Sequence, residues 1–478
     1  VQFRPDKSFR GPALSEVIRN YVKEYILSHH LGPGDSLPPE TQLATELGVG
    51  RSSVREAVKA LQALGIVEVR HGDGLYVREY NFDPILETIS YGSHFDTSTL
   101  AELVQIRGWL ELEIIEQAVR QVRPEHIARM ESAIESWRAA GESGTAGPDM
   151  RTALDRDFQR ALYAALGNES LLKLLEVFWT VFREPPASHT GTPAYYETLL
   201  RAVKTGDPAG ASSAMRDRQR TWPSLSRNAQ PWPAEPAARA GEPPFRRPAL
   251  NEAVRGYIKQ YILDRGLKAG DALSTEGELA NDLGVGRTSV REAVKSLQSL
   301  GIIEVRHGGG LYVREYNFDP VLEVLGYGIR FDTRTLIELL QIRMWLESAV
   351  IGDAIHAMTD LDLAKIEAII TPWQERVQAG AAGKDTIKEW DQAFHRALYT
   401  SLGNETLVKL IDVFWMAFGE FVGDYRNEPE PDLEEHLRIL EAVKARDVAA
   451  ARRAVRQNIT RNQERFRLIL ESEPRYGL

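Results

Sequence analysis

Residues Gly48–Lys59 read GVGRSSVREAVK, and residues Gly284–Lys295 read GVGRTSVREAVK, the same segment carried twice with Arg51 answered by Arg287. On a helical wheel of about 100° per residue, Val54, Ala57, Val58, Leu61 and Leu64 share one arc and Arg51, Arg55, Lys59 and Gln62 the opposite one. One face is therefore expected to pack and the other to present positive charge. A second helix is expected just before it, from ETQLATEL, ending at Gly48 with a short turn, which is the helix-turn-helix arrangement. Two β-branched, aromatic-containing segments follow around a glycine turn, EVRHGDGLYV and EVRHGGGLYV, and predict a hairpin in each copy. Helices plus such a hairpin make a winged helix-turn-helix.

The repeat extends far beyond this segment. Residues 47–87 and 283–323 differ at about six of roughly forty positions, and the register continues through LVQIRGWLE and LLQIRMWLE to AVKTGD and AVKARD. The whole chain of 478 residues is a tandem duplication. Between the copies, WPSLSRNAQPWPAEPAARAGEPPFRRP is rich in Pro, Ala and Gly and lacks apolar periodicity, so it reads as a linker. After each hairpin the text has helical spacing throughout, as in TLAELVQIRGWLELEIIEQAV. The expected fold is mainly α: winged heads at 8–78 and 247–314, all-α bundles at 79–222 and 315–472, and a linker at 223–246.

Bulk composition narrows the function. The net charge of −10 argues against a protein that coats nucleic acid by bulk attraction, though a local basic face suffices for specific binding. Residues 8–80 carry 8 Lys/Arg against 9 Asp/Glu, and residues 244–316 carry 11 against 9. Neither head is strongly basic, so binding is expected to rest on a few placed contacts and to be salt-sensitive. The absence of cysteine removes disulfides and thiolate ligands, leaving His, Asp and Glu for any metal. No run of about 18 apolar residues exists, and VQFRPDKSFR lacks the apolar core of a secretory signal, so a cytoplasmic protein with no membrane partner is expected.

The stretch LPPETQLATELGVGRSSVREAVKALQALGIVEVRHGDGLYV resembles the DNA-binding domain of GntR-type bacterial transcription regulators. The helical parts resemble the FCD domain of the FadR subgroup. That resemblance implies operator contacts from the start of the recognition helix and from the wing tip. Here these are Arg51, Ser52, Ser53, Arg55, His71 and Gly72, then Arg287, Thr288, Ser289, Arg291, His307 and Gly308. Arginine can donate a bidentate pair to guanine, and helix-start hydroxyls reach phosphate or bases. Two departures from the family stand out. An Arg usual on the second helix is replaced by Thr41 and Gly277, and the usual Ser or Thr before the recognition helix is Gly50 or Gly286.

For the bundles, the resemblance implies a divalent metal held by an Asp, a His four residues later and two further histidines. In the second copy Asp391, His395 and His436 match, with Asn458 in the last position, so zinc, nickel or manganese is expected in that copy only. The first copy has Asp155, Gln159, Tyr196 and Arg218 there, a set expected to hold no ion. Arg218 would either meet a carboxylate ligand or pair with Asp155. Arg107 and Arg343 are candidates to face an acidic effector, the alternative being i,i+4 pairs with Glu111 and Glu347. With Arg218 and Asn458 they make up the expected effector set. Trp109, Trp179, Trp345 and Trp415 are candidates to line the cavities, the commoner alternative being ordinary core packing. Asn168 and Asn404, although in N-x-S/T patterns, read as helix starts after Gly167 and Gly403.

The function expected is a transcription repressor, not an enzyme, that binds double-stranded operator DNA with two heads. It would answer to a small organic acid, and fusion would make one chain an internal pseudo-dimer, open to further homodimerisation. Two rivals are an architectural DNA-bridging protein without effector and a metal-dependent helical-bundle enzyme.

Overall fold

The computed structural model describes residues 12–29, 31–70, 74–78, 97–143, 148–181, 193–220, 247–306, 310–314, 333–381, 384–423 and 429–472. The expected linker and both wing tips, with His71, Gly72, His307 and Gly308, lie outside these residues. The first repeat runs α1 (Pro12–Ser28), β1 (Ser36–Leu37), α2 (Glu40–Leu47), α3 (Arg51–Ala63), β2 (Val67–Arg70), β3 (Gly74–Val77), α4 (Thr97–Gln121), α5 (Pro124–Glu142), α6 (Pro148–Tyr163), α7 (Glu169–Val181), α8 (Pro193–Lys204) and α9 (Pro208–Gln219). The second follows the same order with α10 (Arg247–Asp264), α11 (Glu276–Leu283), α12 (Arg287–Ser299), β4 (Ile303–Arg306), β5 (Gly310–Val313), α13 (Thr333–Ala357), α14 (Asp360–Gln378), α15 (Lys384–Thr400), α16 (Glu405–Gly423), α17 (Pro429–Lys444) and α18 (Val448–Ser472).

Folding regroups the sequence. One compact unit comprises Val1–Asp96 with Pro231–Phe331, and the other comprises Thr97–Gln230 with Asp332–Leu478. Each unit thus takes corresponding parts from both repeats.

In the head unit, the apolar arc of α3 is buried as expected, with Val54, Ala57, Val58, Leu61 and Leu64 all at most 1% exposed. Val58 and Leu61 each contribute roughly 1.5–3 kcal/mol by leaving water. The helix packs on α1, as α12 packs on α10. Gly48 and Gly284 close the preceding helices at φ +64° and +63°, the left-handed backbone that makes the tight turn and favours glycine. β2 and β3 pair antiparallel from Val67↔Val77 to Arg70↔Gly74, and β4 with β5 in the equivalent register.

The two copies are capped differently. Thr275 begins α11 with a capping box, its hydroxyl accepting from the Glu278 amide while Glu278 accepts from the Thr275 amide. Those bonds hold the Glu278 carboxyl below its ordinary range. α2 starts at Pro39 without a side-chain cap. Such a cap contributes about 1 kcal/mol, so α11 is the better-anchored second helix.

In the helical unit, α4 and α13 pack against each other, and matched polar contacts join the repeats. The Asn168 side-chain amide donates to the Glu338 carbonyl (2.9 Å) and to Gln341 (3.1 Å), and Asn404 does the same to Glu102 (3.1 Å) and Gln105 (3.0 Å). Ser170 donates to the Glu338 carboxylate at 2.7 Å, and Thr406 to Glu102 at 2.5 Å. Asn168 and Asn404 also accept from the amides of Leu171 and Leu407, directly after Gly167 and Gly403 in left-handed conformation. They are helix starts, and they also lock the two copies together.

Trp109 donates to Asp353 at 2.6 Å and Trp345 to Gln117 at 3.1 Å, across the same interface. Helical spacing identified both as inward-facing without saying which inward surface they served.

Candidate DNA-reading face and buried sensor sites

Arg51, Ser52 and Arg55 are exposed at the start of α3, and Arg287, Thr288 and Arg291 at the start of α12, with Ser53 and Ser289 half-buried beside them. Gly50 and Gly286 precede these helices in extended conformation and offer no side-chain cap, so no side chain of the cap residue competes with a phosphate for the helix start. The Ser53 and Ser289 amides already donate to the Gly50 and Gly286 carbonyls at 3.0 Å. Arg55 contacts Glu40 at 3.1 Å and Arg291 contacts Glu276 at 3.0 Å, each reaching the start of the preceding helix. Such surface pairs contribute at most about 1 kcal/mol, so a phosphate or a base edge can displace the glutamate at little cost. In the second head a β-carbon added at Gly277 would lie 3.5 Å from the Arg287 guanidinium; Thr41 holds the equivalent place in the first.

Lys59 departs from the basic face on which its wheel position placed it. Its Nζ meets Glu292 of the other head at 2.6 Å, and Lys295 meets Glu56 at 3.6 Å in the reciprocal contact. α3 and α12 therefore pack together through crossed Lys–Glu pairs, and each keeps its N-terminal arginines exposed.

The buried site of the second repeat gathers residues from α13, α15 and α17. His436 Nε2 lies 2.9 Å from Asp391 Oδ1, and His395 Nε2 lies 3.4 Å from the same oxygen. Their ligating atoms all fall within 4.8 Å of one another, and all three side chains are at most 1% exposed. Glu347 accepts from His395 Nδ1 at 2.7 Å, from Tyr399 at 3.0 Å and from Arg343 at 2.5 Å. Arg343 also stacks over the Trp415 ring at 4.4 Å. Burial pushes the Glu347 carboxyl up, but Arg343 and His395 outweigh it and bring it to about 2. Burial pushes His395 below its usual value despite the pull of Glu347.

This network assigns the tautomer. With the Nδ1 proton given to Glu347, His395 Nε2 presents a lone pair toward Asp391 Oδ1 and makes no hydrogen bond among the described residues. A lone pair facing a carboxylate oxygen is an arrangement that a cation relieves. The carboxylate behind the histidine is the partner that orients an imidazole ligand, so the residues present fit a divalent ion. Asn458, 2% exposed, donates to Glu435 at 3.2 Å, while its Oδ1 makes no hydrogen bond among the described residues. Glu435 in turn pairs with Arg461 at 2.7 Å.

The same place in the first repeat is built of fixed charges. Arg218 meets Asp155 at 2.8 Å, Arg107 approaches the same oxygen at 3.5 Å, and Tyr196 donates to the other oxygen at 2.9 Å. Arg107 also pairs with Glu111 at 2.9 Å, and Trp179 donates to Glu111 at 3.2 Å. Burial raises the Asp155 carboxyl, but Arg218 and Arg107 more than reverse this and hold it below its usual range. Tyr195, with Arg218 5.0 Å over its ring, is pushed up to about 12, mainly by burial. Arg107 and Arg343 form the i,i+4 pairs with Glu111 and Glu347, and those pairs are buried beside Asp155 and His395.

Sequence reasoning underweighted Glu347, seen only as a partner for Arg343, and it passed over Tyr399 and Glu435. The carboxylate one helix away from a candidate ligand histidine was the available signal for Glu347.

Comparison with known proteins is consistent with this construction. The model described as "Bacterial regulatory proteins, gntR family" matches residues 14–77 and 250–313, and the FCD domain matches 102–220 and 338–461. The HTH-type transcriptional regulator LutR of Bacillus subtilis is 29% identical over 41% of this chain and 90% of its own length. An uncharacterized HTH-type transcriptional regulator of Mycobacterium tuberculosis is 31% identical over 42% and 85%. The HTH-type transcriptional repressor NanR of Salmonella newport is 26% identical over 45% and 88%. A solved Streptococcus agalactiae GntR structure, 29% identical, covers 45% of this chain and 99% of that one, with a TM-score of 0.33. Each relative spans somewhat less than half of the chain, the length of one repeat. These relatives are transcriptional regulators, which sets aside the enzyme reading of the Asp–His–His cluster. Among the described residues no helix is long and apolar enough to cross a membrane. The chain belongs to the GntR family of bacterial DNA-binding transcription regulators that carry an FCD domain, and it contains that two-domain plan twice.

Proposed function

We propose that the protein is a cytoplasmic repressor whose two heads read two half-sites of one operator and whose second bundle senses a small organic acid together with a divalent metal. The observation that carries the sensor reading is the buried Asp391, His395 and His436 cluster, with His395 oriented by Glu347 and Arg343 one contact away. Zinc, nickel or manganese bound there would supply a positive charge for a carboxylate oxygen. Arg343 is positioned to offer a second positive group, and Asn458 a polar one. Arg107 and Arg218 are the corresponding candidates in the first bundle.

On the DNA side, Arg51 and Arg55, then Arg287 and Arg291, are the proposed base readers. Ser52, Ser53, Thr288 and Ser289 are proposed phosphate or base contacts, and the wing residues His71, Gly72, His307 and Gly308 complete each head. Release from DNA requires that the acid bind one arrangement of the heads better than another. The crossed Lys–Glu pairs between α3 and α12, worth about 1 kcal/mol or less each, are weak enough to be rearranged.

Genomic selection with footprinting would find the operator, and thermal unfolding with zinc, nickel or manganese and a panel of organic acids would test the sensor. A ligand at a hundredfold excess over its Kd should stabilise the chain by about 2.7 kcal/mol. No stabilisation by any metal or acid would reject the sensor reading and favour a purely architectural DNA-bridging role.

A further inference from the structure

We infer that the Arg218 guanidinium is a built-in substitute for the divalent cation, so that the first bundle is assembled without metal while only the second depends on one. This rests on the metal reading of the second site. Three observations carry it. Arg218 occupies the chain position of Asn458, and its side chain is fully buried. It meets Asp155, the counterpart of Asp391, at 2.8 Å. The two imidazoles of the second site are replaced by Gln159 and Tyr196, and the Tyr196 hydroxyl already donates to Asp155. Asp155 therefore has donors on both oxygens, whereas the one Asp391 oxygen that His436 Nε2 meets at 2.9 Å also faces the His395 Nε2 lone pair at 3.4 Å.

The charge balance of the two sites differs accordingly. In the first, Arg107 and Arg218 offset Asp155 and Glu111, so the buried set is neutral as it stands. In the second, Arg343 offsets only one of Glu347 and Asp391, with Glu435 and Arg461 cancelling each other. With neutral imidazoles, as ligation requires, the second set carries −1 until a divalent ion makes it +1. A site at +1 suits a single carboxylate, whereas the first set is balanced without a metal, with both polar atoms of the buried Gln159 side chain making no hydrogen bond among the described residues.

The test exchanges the two residue sets in the full chain, with zinc as the probe and metal content read after removal of excess. Wild type should hold one zinc per chain. Gln159→His with Tyr196→His and Arg218→Asn should raise this twofold, to two per chain. The reverse set, His395→Gln with His436→Tyr and Asn458→Arg, should hold none. Its thermal midpoint in chelator should nevertheless stay at that of zinc-loaded wild type. One zinc in the first variant with its fold intact, a reverse variant that melts like chelated wild type, two zincs in wild type, or failure of both variants to fold would overturn the inference. Wild type holding no zinc would mark failure of the second-site reading itself and take the inference with it.

Discussion

Asp155→Asn keeps the shape of the side chain and removes its charge, which isolates what the first buried site contributes. Arg218 lies 2.8 Å from Asp155 with its side chain fully buried, and Arg107, 4% exposed, lies 3.5 Å away. At an effective dielectric near 20, a unit pair at 2.8 Å attracts by about 6 kcal/mol. Desolvation offsets much of that attraction, and once one partner is gone the desolvation of the other is left uncompensated, so stranding a buried charge costs about 3–5 kcal/mol. The variant should destabilise the helical unit by that amount at pH 7, measured by urea unfolding. Asp155→Leu with Arg218→Met should recover most of the stability, because an apolar pair of similar volume needs no counter-charge.

The pH dependence has a definite sign. Asp155 titrates lower folded than unfolded, so its contribution is complete above the ordinary Asp value near 3.9 and disappears as pH falls through the folded value. Wild type should lose more stability than Asp155→Asn below about pH 4. An Asp155→Asn chain as stable as wild type, with the same acid slope, would refute the argument that these fixed charges hold the site together.

Other outcomes follow from the same contacts. Glu347→Gln removes the carboxylate that orients His395 and should weaken zinc binding about 10–100-fold in equilibrium dialysis; unchanged affinity would separate Glu347 from the site. Lys59→Glu should weaken pairing of the heads by like-charge repulsion against Glu292, and adding Glu292→Lys should restore operator affinity; a double variant no better than the single would show that this contact is not used on DNA. Thr275→Ala should cost about 1 kcal/mol by removing the capping box of α11, whereas Pro39→Ala should cost less because α2 has no side-chain cap to lose; equal effects in urea unfolding would contradict that difference.

The sequence made the fold legible where periodicity and punctuation agreed. The buried arc of α3, the glycine turns at Gly48 and Gly284 and the presence of a hairpin in each copy followed from spacing alone. The metal-type cluster was legible through the Asp391–His395 spacing and the family resemblance. What spacing could not separate was one buried surface from another. Trp109 and Trp345 were legible as inward-facing aromatics but not as residues that join the repeats, and Lys59 as part of the polar arc but not as a partner for the other head. Both gaps come from the duplication: a chain that packs against its own copy buries faces that one repeat alone would leave open.

The most direct test of the account is a footprint on the selected operator at known protein-to-DNA stoichiometry, comparing wild type with Arg287→Ala/Arg291→Ala. One wild-type chain should protect two half-sites. The variant should lose protection over one of them, and its operator affinity should fall by about 1–3 kcal/mol for each arginine–base pair of hydrogen bonds removed, with a smaller drop on random DNA. A complex that requires two chains, or equal drops on operator and random DNA, would contradict sequence reading by two heads of a single chain.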